Sequence, residues 1–308
     1  MPFRRAVVRI LVLCLMALGL SSCAVVRNRL IKRIGGNSAQ PLLTADKATL
    51  ISIVTRNYGL VSSFNATVDM TPAIGSAEKN KITEYKDVRA YILFRKPSDI
   101  RIIGLYPVVR GKAFDMVSNG EEFKLYIPSK DRFIVGKNAI ATPSANKIEN
   151  LRPQHFWEAL LVRPPADPAK VALENFTDED NAFYILDEIG EGASGQTIMK
   201  RTLWFNRLNL SLSRQIVFNE AGNIESDTRY DQWRYFDAVP FPKHIEINRP
   251  QDEYGVVIDV VKMEMNKGLA DERFALSQPE GTTLQVLGAE PGQTPVNPPE
   301  PPPQKKGR

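Results

Sequence analysis

Alternation of apolar and polar residues runs through most of this chain and predicts a β-sheet. Every even-numbered position in residues 88–95 is apolar, and the same period recurs in residues 123–127, 210–218 and 256–260. A period of two is the repeat of a strand, because successive side chains point to opposite faces. Turn-forming residues such as Asn119-Gly120 separate these segments at hairpin spacing. We therefore expect about ten or eleven strands in a mainly antiparallel sheet that is curved or closed.

Two short helices are predicted to pack against this sheet. The first begins near Thr44 or Asp46, because both residue types cap helix N-termini well. Its apolar positions fall close to one face: Leu50, Ile51, Ile53, Val54 and Tyr58. The second runs from Pro153 to Leu161, since proline suits the first turn of a helix.

Some of the predicted strands are apolar on both faces. Tyr91 and Leu93 alternate with Ile92 and Phe94, and residues 256–263 show the same property. An antiparallel sheet that is wet on one side should alternate cleanly between apolar and polar residues. We therefore expect the second face to be covered, either by the helices or by a cavity that receives an apolar ligand.

The N-terminus carries a secretory signal. Three arginines precede an apolar run, Ile10 to Leu20, which ends in Leu20-Ser21-Ser22-Cys23. This ending resembles the bacterial lipobox, in which the cysteine is acylated and becomes the first residue of the mature protein. The resemblance implies a signal peptide over residues 1–22 and a lipid anchor on Cys23. An uncleaved membrane anchor is the alternative, but a spanning helix needs about 20 apolar residues.

Composition divides the remainder into three parts. Residues 23–43 are predicted to be a lipidated flexible tether, residues 44–290 one folded domain, and residues 291–308 a proline-rich tail without a core. The chain has a formal net charge of +5, but ten of its basic residues lie in the two ends. The body therefore has no basic excess, which argues against a nucleic-acid partner.

The lipobox resemblance also bears on the membrane address. Ala24 stands where an aspartate would retain a Gram-negative lipoprotein in the inner membrane. The resemblance therefore favours an anchor in the outer membrane, with the protein facing the periplasm.

Candidate catalytic chemistry is scarce. Residues 190–195 match the dinucleotide fingerprint GxGxxG, but the residues that follow alternate like a strand, whereas the motif requires a helix there. His155 and His244, the only histidines, lack a partner at metal-ligand spacing, and the acidic run 178–180 is typical of a solvated turn. We expect no enzymatic activity, no catalytic residue, no cofactor and no metal.

Several local motifs resemble the LolA/LolB superfamily of bacterial lipoprotein carriers and acceptors. Residues 91–101 read YILFRKPSDIR, a strand ending in R-x-P followed by an arginine-bearing strand, and Ser118-Asn119-Gly120 follows as a hairpin. The closing motif is Asn266, then Phe274-Ala275-Leu276 and residues 279–281. The resemblance would cover about residues 44 to 287, most of the mature chain.

The resemblance implies an incomplete, unclosed antiparallel β-barrel with helices covering its concave side, whose apolar cavity accepts acyl chains of lipoproteins or other lipids. A periplasmic carrier protein is then a possible partner, besides the membrane. Alternation does not tell which face is concave, so the candidates for the cavity are chosen by size on predicted strands. They are Phe94, Phe123, Trp204, Phe218 and Tyr230. Leu105, in the predicted loop 104–107, is the candidate for membrane insertion, and Arg95 and Arg101 are candidates for the cavity mouth or a lipid phosphate.

The leading hypothesis from the sequence is thus a lipid- or lipoprotein-binding transfer module. A periplasmic sensor of lipids and a structural outer-membrane accessory without transfer activity are the alternatives.

Overall fold

The computed structural model describes residues 41–76, 81–84, 87–107, 111–139, 152–178 and 180–287. Cys23, the signal peptide, nearly all of the tether and the proline-rich tail lie outside this part of the chain. Two α-helices are described, α1 (Lys47–Leu60) and α2 (Pro153–Leu160). The strands are β1 (Ser63–Ser76), β2 (Lys81–Glu84), β3 (Val88–Arg95), β4 (Asp99–Leu105), β5 (Lys112–Ser118), β6 (Glu122–Ile127), β7 (Arg132–Lys137), β8 (Val171–Thr177), β9 (Ala182–Glu191), β10 (Thr197–Asn206), β11 (Leu212–Phe218), β12 (Ile224–Phe236), β13 (Val239–Arg249), β14 (Tyr254–Met265) and β15 (Thr283–Leu287).

All fifteen strands belong to one sheet. Their order is β15-β7-β6-β5-β4-β3-β1-β14-β13-β12-β11-β10-β9-β8, and β2 pairs with β1. Every pairing is antiparallel except that of β15 with β7, which is parallel. Among the described strands, none joins β8 to β15, so the barrel stays open. The predicted fold class is confirmed, although the structure has more strands than the ten or eleven predicted.

Both helices lie against one face of the sheet, the inner face. Asp46 caps α1 by accepting a hydrogen bond from the Thr49 amide (2.8 Å), as predicted for this residue type. The second helix presents Phe156 and Trp157 to the inner face, and Trp157 packs on Phe94 of β3 with 6.1 Å between ring centroids. Since both helices bury their apolar positions, their contact with the sheet supplies most of their stability.

The other face, the outer face, is covered in part by the end of the domain. After β14, residues 268–287, which we call the C-terminal strap, cross strands β3 to β7 and finish as β15. Leu276 of the strap packs with Val117 of β5 and Phe133 of β7 in a second small core. The strap, rather than a helix or a cavity, therefore covers the second face of β5 to β7. The second face of the two segments that we expected to be covered stays partly open, because Tyr91 of β3 and Val261 of β14 are exposed.

Candidate functional site

An apolar pocket opens at one end of the half-barrel. It lies where β1, β4 and β6 end and where β3, β5 and β14 begin, and its volume is about 330 Å³. This volume lies at the lower end of the range of about 300–1,000 Å³ that is usual for small-molecule sites. The main wall residues are Pro72, Ile74, Val88, Phe114, Leu125 and Ile127.

A glycine on β4 shapes one wall. Gly104 pairs with Phe114 of β5, and a Cβ atom placed on Gly104 would lie 2.3 Å from Cε1 of the Phe114 ring. No side chain fits there without moving that ring. Glycine thus allows the aromatic ring to lie flat across the strand and form the wall of the pocket.

Tyr254 forms part of the inner wall, and its hydroxyl is already engaged. This hydroxyl shares a hydrogen bond of 2.6 Å with Nδ1 of His155 on α2. Burial, followed by the nearby charges of Arg249 and Arg152, lowers the pKa of His155 well below its usual value. The imidazole is therefore neutral at neutral pH, and burial raises the pKa of Tyr254, which keeps the phenol protonated. This wall offers a ligand no free charge.

Charge appears only at the rim. Ser129 and Lys130 lie in a short 3₁₀ turn between β6 and β7, and both are exposed. Lys130 is the one charged residue among those that line the pocket in the described part of the chain. The site therefore combines apolar walls with a cationic edge.

The middle of the half-barrel is filled by packed side chains. Phe64 and Phe94 stack with 4.9 Å between ring centroids, and Phe123 is equally buried. Phe94 and Phe123, predicted for the cavity, therefore belong to the core. The size of a side chain on a predicted strand does not distinguish a core residue from a cavity residue, because both environments favour large apolar side chains.

The other three cavity candidates also lie away from this pocket. Trp204 contacts Phe176 and Phe183, on the neighbouring strands β8 and β9. Phe218 is half-buried at the end of β11. Tyr230 is buried and donates a hydrogen bond to the Ala159 carbonyl (2.8 Å), beside a cleft of about 40 Å³ under α1. None of the five aromatic candidates lines the 330 Å³ pocket.

Arg95 and Arg101 hold the C-terminal strap on the outer face and do not line the pocket. Arg101 binds both carboxylate oxygens of Asp115 at 2.9 Å and donates to the carbonyls of Arg273 and Ala275. Arg95 pairs with Asp99 and Asp271. The predicted place of both arginines at the cavity mouth is thus corrected, since carboxylates of the sheet and carboxylate or carbonyl groups of the strap already bind them.

Leu105 is the last residue of β4 and is half-buried, so its predicted position in a loop is also corrected. The neighbouring Tyr106 is the more exposed side chain and lines the pocket. The tip of this connection, residues 108–110, lies outside the described residues.

The remaining motifs have structural roles. The glycine-rich segment 190–195 forms the β9–β10 hairpin, where the Gly192 amide donates to the Gln196 carbonyl, as the alternation predicted. In the part of the chain that the structure describes, no group of three His, Cys, Asp or Glu residues is placed to hold a metal ion. No described helix is long and apolar enough to cross a membrane.

Solved structures of other proteins are similar to this chain. A LolA superfamily protein from Nitrosomonas europaea shares 15% identity, with 73% of this chain and 97% of that chain covered and a TM-score of 0.45. A DUF1329 family protein from Desulfovibrio piger follows at 13% identity, 75% and 98% coverage and a TM-score of 0.47. A domain described as outer-membrane lipoprotein-sorting, from Vibrio parahaemolyticus, has 11% identity, 74% and 94% coverage and a TM-score of 0.43.

No protein-family model matches the chain, and no curated protein sequence matches it. The likeness to these solved structures concerns the fold alone.

Sequence reasoning missed the residues that line the pocket. Pro72, Ile74 and Val88 carry no motif, and Gly104 was considered only as part of a loop. The sequence contained one usable signal, which is that these residues lie near the ends of predicted strands. In an antiparallel sheet the end of one strand and the beginning of the next lie at the same edge.

Proposed function

We propose that this protein is a membrane-anchored bacterial lipoprotein whose end pocket binds one acyl chain during lipid or lipoprotein transfer at the outer membrane. The observation that carries the proposal is the 330 Å³ pocket, whose walls are apolar and which opens at the edge of the half-barrel. The role is one of binding, without covalent catalysis. The motif resemblance to the LolA/LolB superfamily supports the same role.

The energetics suit an acyl chain. Each methylene group removed from water contributes about 0.8 kcal/mol, so ten of them would contribute about 8 kcal/mol before the entropic costs of binding. Because the middle of the barrel is filled by Phe64, Phe94 and their neighbours, the chain would enter from the end and stay near the surface. Shallow binding favours release, which a transfer protein requires.

The proposed lipid anchor would determine where the protein acts. We propose that acylated Cys23 holds the protein in the outer membrane, facing the periplasm, where a soluble carrier protein could deliver cargo. The packed core favours one second candidate, a structural accessory of the outer membrane that binds no lipid. The two candidates differ in whether the pocket is occupied.

A pocket-filling substitution tests the proposal. Val88→Trp should place a ring inside the pocket and weaken palmitate binding by roughly tenfold or more, because displacing two methylene groups costs about 1.6 kcal/mol. Binding is measured by calorimetry on the full chain carrying Cys23→Ser, and native mass spectrometry reports any lipid that copurifies.

Val261→Trp is the matched control, since Val261 is a half-exposed valine on β14 that lies outside the pocket. It should bind palmitate as the parent does. Palmitate binding that is equally strong in both variants would place the lipid elsewhere, and a parent protein that binds none would favour the structural accessory.

A further inference from the structure

The rim of the pocket has a defined cationic side chain. The turn that carries Lys130 is held at both ends: the Asp131 amide donates to the Pro128 carbonyl (3.1 Å), and the Thr283 amide of the strap donates to the Asp131 carbonyl (2.7 Å). Asp131 adopts a left-handed conformation, with φ of 47°, which ends the turn. The backbone under Lys130 is therefore fixed at the edge of the pocket.

Lys130 also differs from Lys112, which lies at the start of β5. Lys112 forms an ion pair with the buried carboxylate of Asp115 at 2.8 Å. For Lys130 the structure shows no ion pair with any described carboxylate, and no acidic side chain lines the pocket within the described residues. Its ammonium is exposed, so it is available to a ligand headgroup.

The pocket is apolar inside and polar at its rim. The hydroxyl of Tyr254 on the inner wall is turned to His155, while the walls between it and the rim are aliphatic or aromatic. An amphiphile would therefore place its hydrocarbon tail inside and its headgroup beside Lys130 and Ser129. The small volume suits one chain rather than two.

We propose that the pocket selects a single-chain amphiphile with a monoanionic carboxylate headgroup, the anion of a long-chain fatty acid, through Lys130. This inference rests on the proposed function, because it requires that the pocket bind a chain at all. The carboxylate is favoured over a phosphate because one ammonium matches one negative charge. Among the described residues that line the pocket, no arginine offers the bidentate fork that phosphate recognition uses.

The test compares three probes with the same sixteen-carbon chain: palmitate, hexadecanol and hexadecyl phosphate. Binding is measured by displacement of a fluorescent fatty acid from the full chain with Cys23→Ser, at low and at high ionic strength. Lys130→Gln should weaken palmitate binding about three- to fivefold at low ionic strength, as expected of a partly exposed ion pair, and leave hexadecanol unchanged. High salt should reduce the difference.

Lys124→Gln is the matched control, since Lys124 is an exposed lysine of β6 that borders a different cleft. It should change none of the three affinities. Hexadecanol binding as tightly as palmitate, with no effect of Lys130→Gln, would overturn the headgroup assignment and leave the proposed function intact. Hexadecyl phosphate binding more tightly than palmitate would overturn the choice of a carboxylate. Failure of all three probes to bind would overturn the proposed function itself.

Discussion

At the scale of single residues, the two histidines of the chain lie in opposite environments. His155 is held against Tyr254 and its pKa is lowered by burial, and then by the charges of Arg249 and Arg152. His244 lies on the outer face, where Nδ1 is 2.8 Å from Asp259 and Nε2 is 3.3 Å from Glu246. The hydrogen bond to Asp259 is the largest cause that raises the pKa of His244.

These directions predict opposite effects of pH on stability. Below pH of about 6.5 the unfolded chain protonates His155 but the folded protein does not, so His155 makes stability fall as the pH falls toward its folded-state pKa. His244 contributes stability that is complete below about 6.5 and is lost as the pH rises through its raised folded-state pKa.

The measurement is urea unfolding between about pH 5 and 8. Relative to the parent, His155→Gln should lose less stability on acidification, and His244→Gln should lose less stability as the pH rises above about 6.5. The quantity compared is the slope of the unfolding free energy against pH, because each substitution also changes packing and so shifts the absolute stability. Identical slopes in all three proteins would show that neither histidine couples its protonation to folding.

At the scale of elements, a buried carboxylate belongs to the network that holds the C-terminal strap. Asp115 has no exposed surface, and it is neutralised by Arg101 on one side and Lys112 on the other. Arg101 also binds two carbonyls of the strap, so it connects β4, β5 and the strap in one network. Arg89 and Asp69 form a comparable pair on the outer face, but their side chains are 47% and 40% exposed.

This difference in exposure predicts different costs of substitution. Arg101→Met should lower the free energy of unfolding by about 3 kcal/mol, because it leaves a buried carboxylate with Lys112 as its one remaining partner. Arg89→Met should cost less than about 1 kcal/mol, because water screens an exposed pair. Chemical denaturation gives both values, and limited proteolysis should cut the strap sooner in Arg101→Met. Equal costs in the two variants would contradict this role of Arg101.

At the scale of the whole molecule, the proposed function requires a membrane anchor. One acyl chain gives only marginal, reversible binding, whereas two or three chains on one cysteine hold a protein in the leaflet. Arg27, Arg29, Lys32 and Arg33 follow Cys23 in the sequence and would add about 1 kcal/mol each near an anionic surface.

The chain has two cysteines, which allows a matched test of this anchor. Cys23→Ser should move the protein from the membrane fraction to the soluble fraction and abolish incorporation of labelled palmitate. Cys14→Ser should change neither, because Cys14 lies in the segment that we expect to be removed. Labelling that persists in Cys23→Ser would overturn the lipobox prediction.

Local patterns predicted a large share of the architecture. The period of two placed β3, β6 and β14 correctly, and Asp46 and Pro153 marked the starts of the two helices. These features depend on neighbours a few residues apart, so the sequence contains the information that determines them. The hairpin at residues 190–195 was identified in the same way, from the alternation that follows it.

The site was predicted less well, because its residues are distant in the sequence. Pro72, Phe114, Leu125 and Tyr254 meet only where strand ends converge. Arg95 and Arg101 were assigned to the cavity mouth, yet each also binds a partner in the strap that lies more than 170 residues away in the sequence. Pairing over such distances is decided by sheet topology rather than by local propensity.

The sequence by itself determined that this protein is a mainly antiparallel sheet with two amphipathic helices, because strand and helix periods are local properties of hydrophobic burial. Only the tertiary structure decided which strand face packs against the helices, that the strap covers part of the other face, and that the apolar pocket lies at one end. The reason is physical. Alternation distinguishes the two faces of a strand but does not show which face is concave, and a pocket forms only where side chains from distant parts of the chain leave space unfilled.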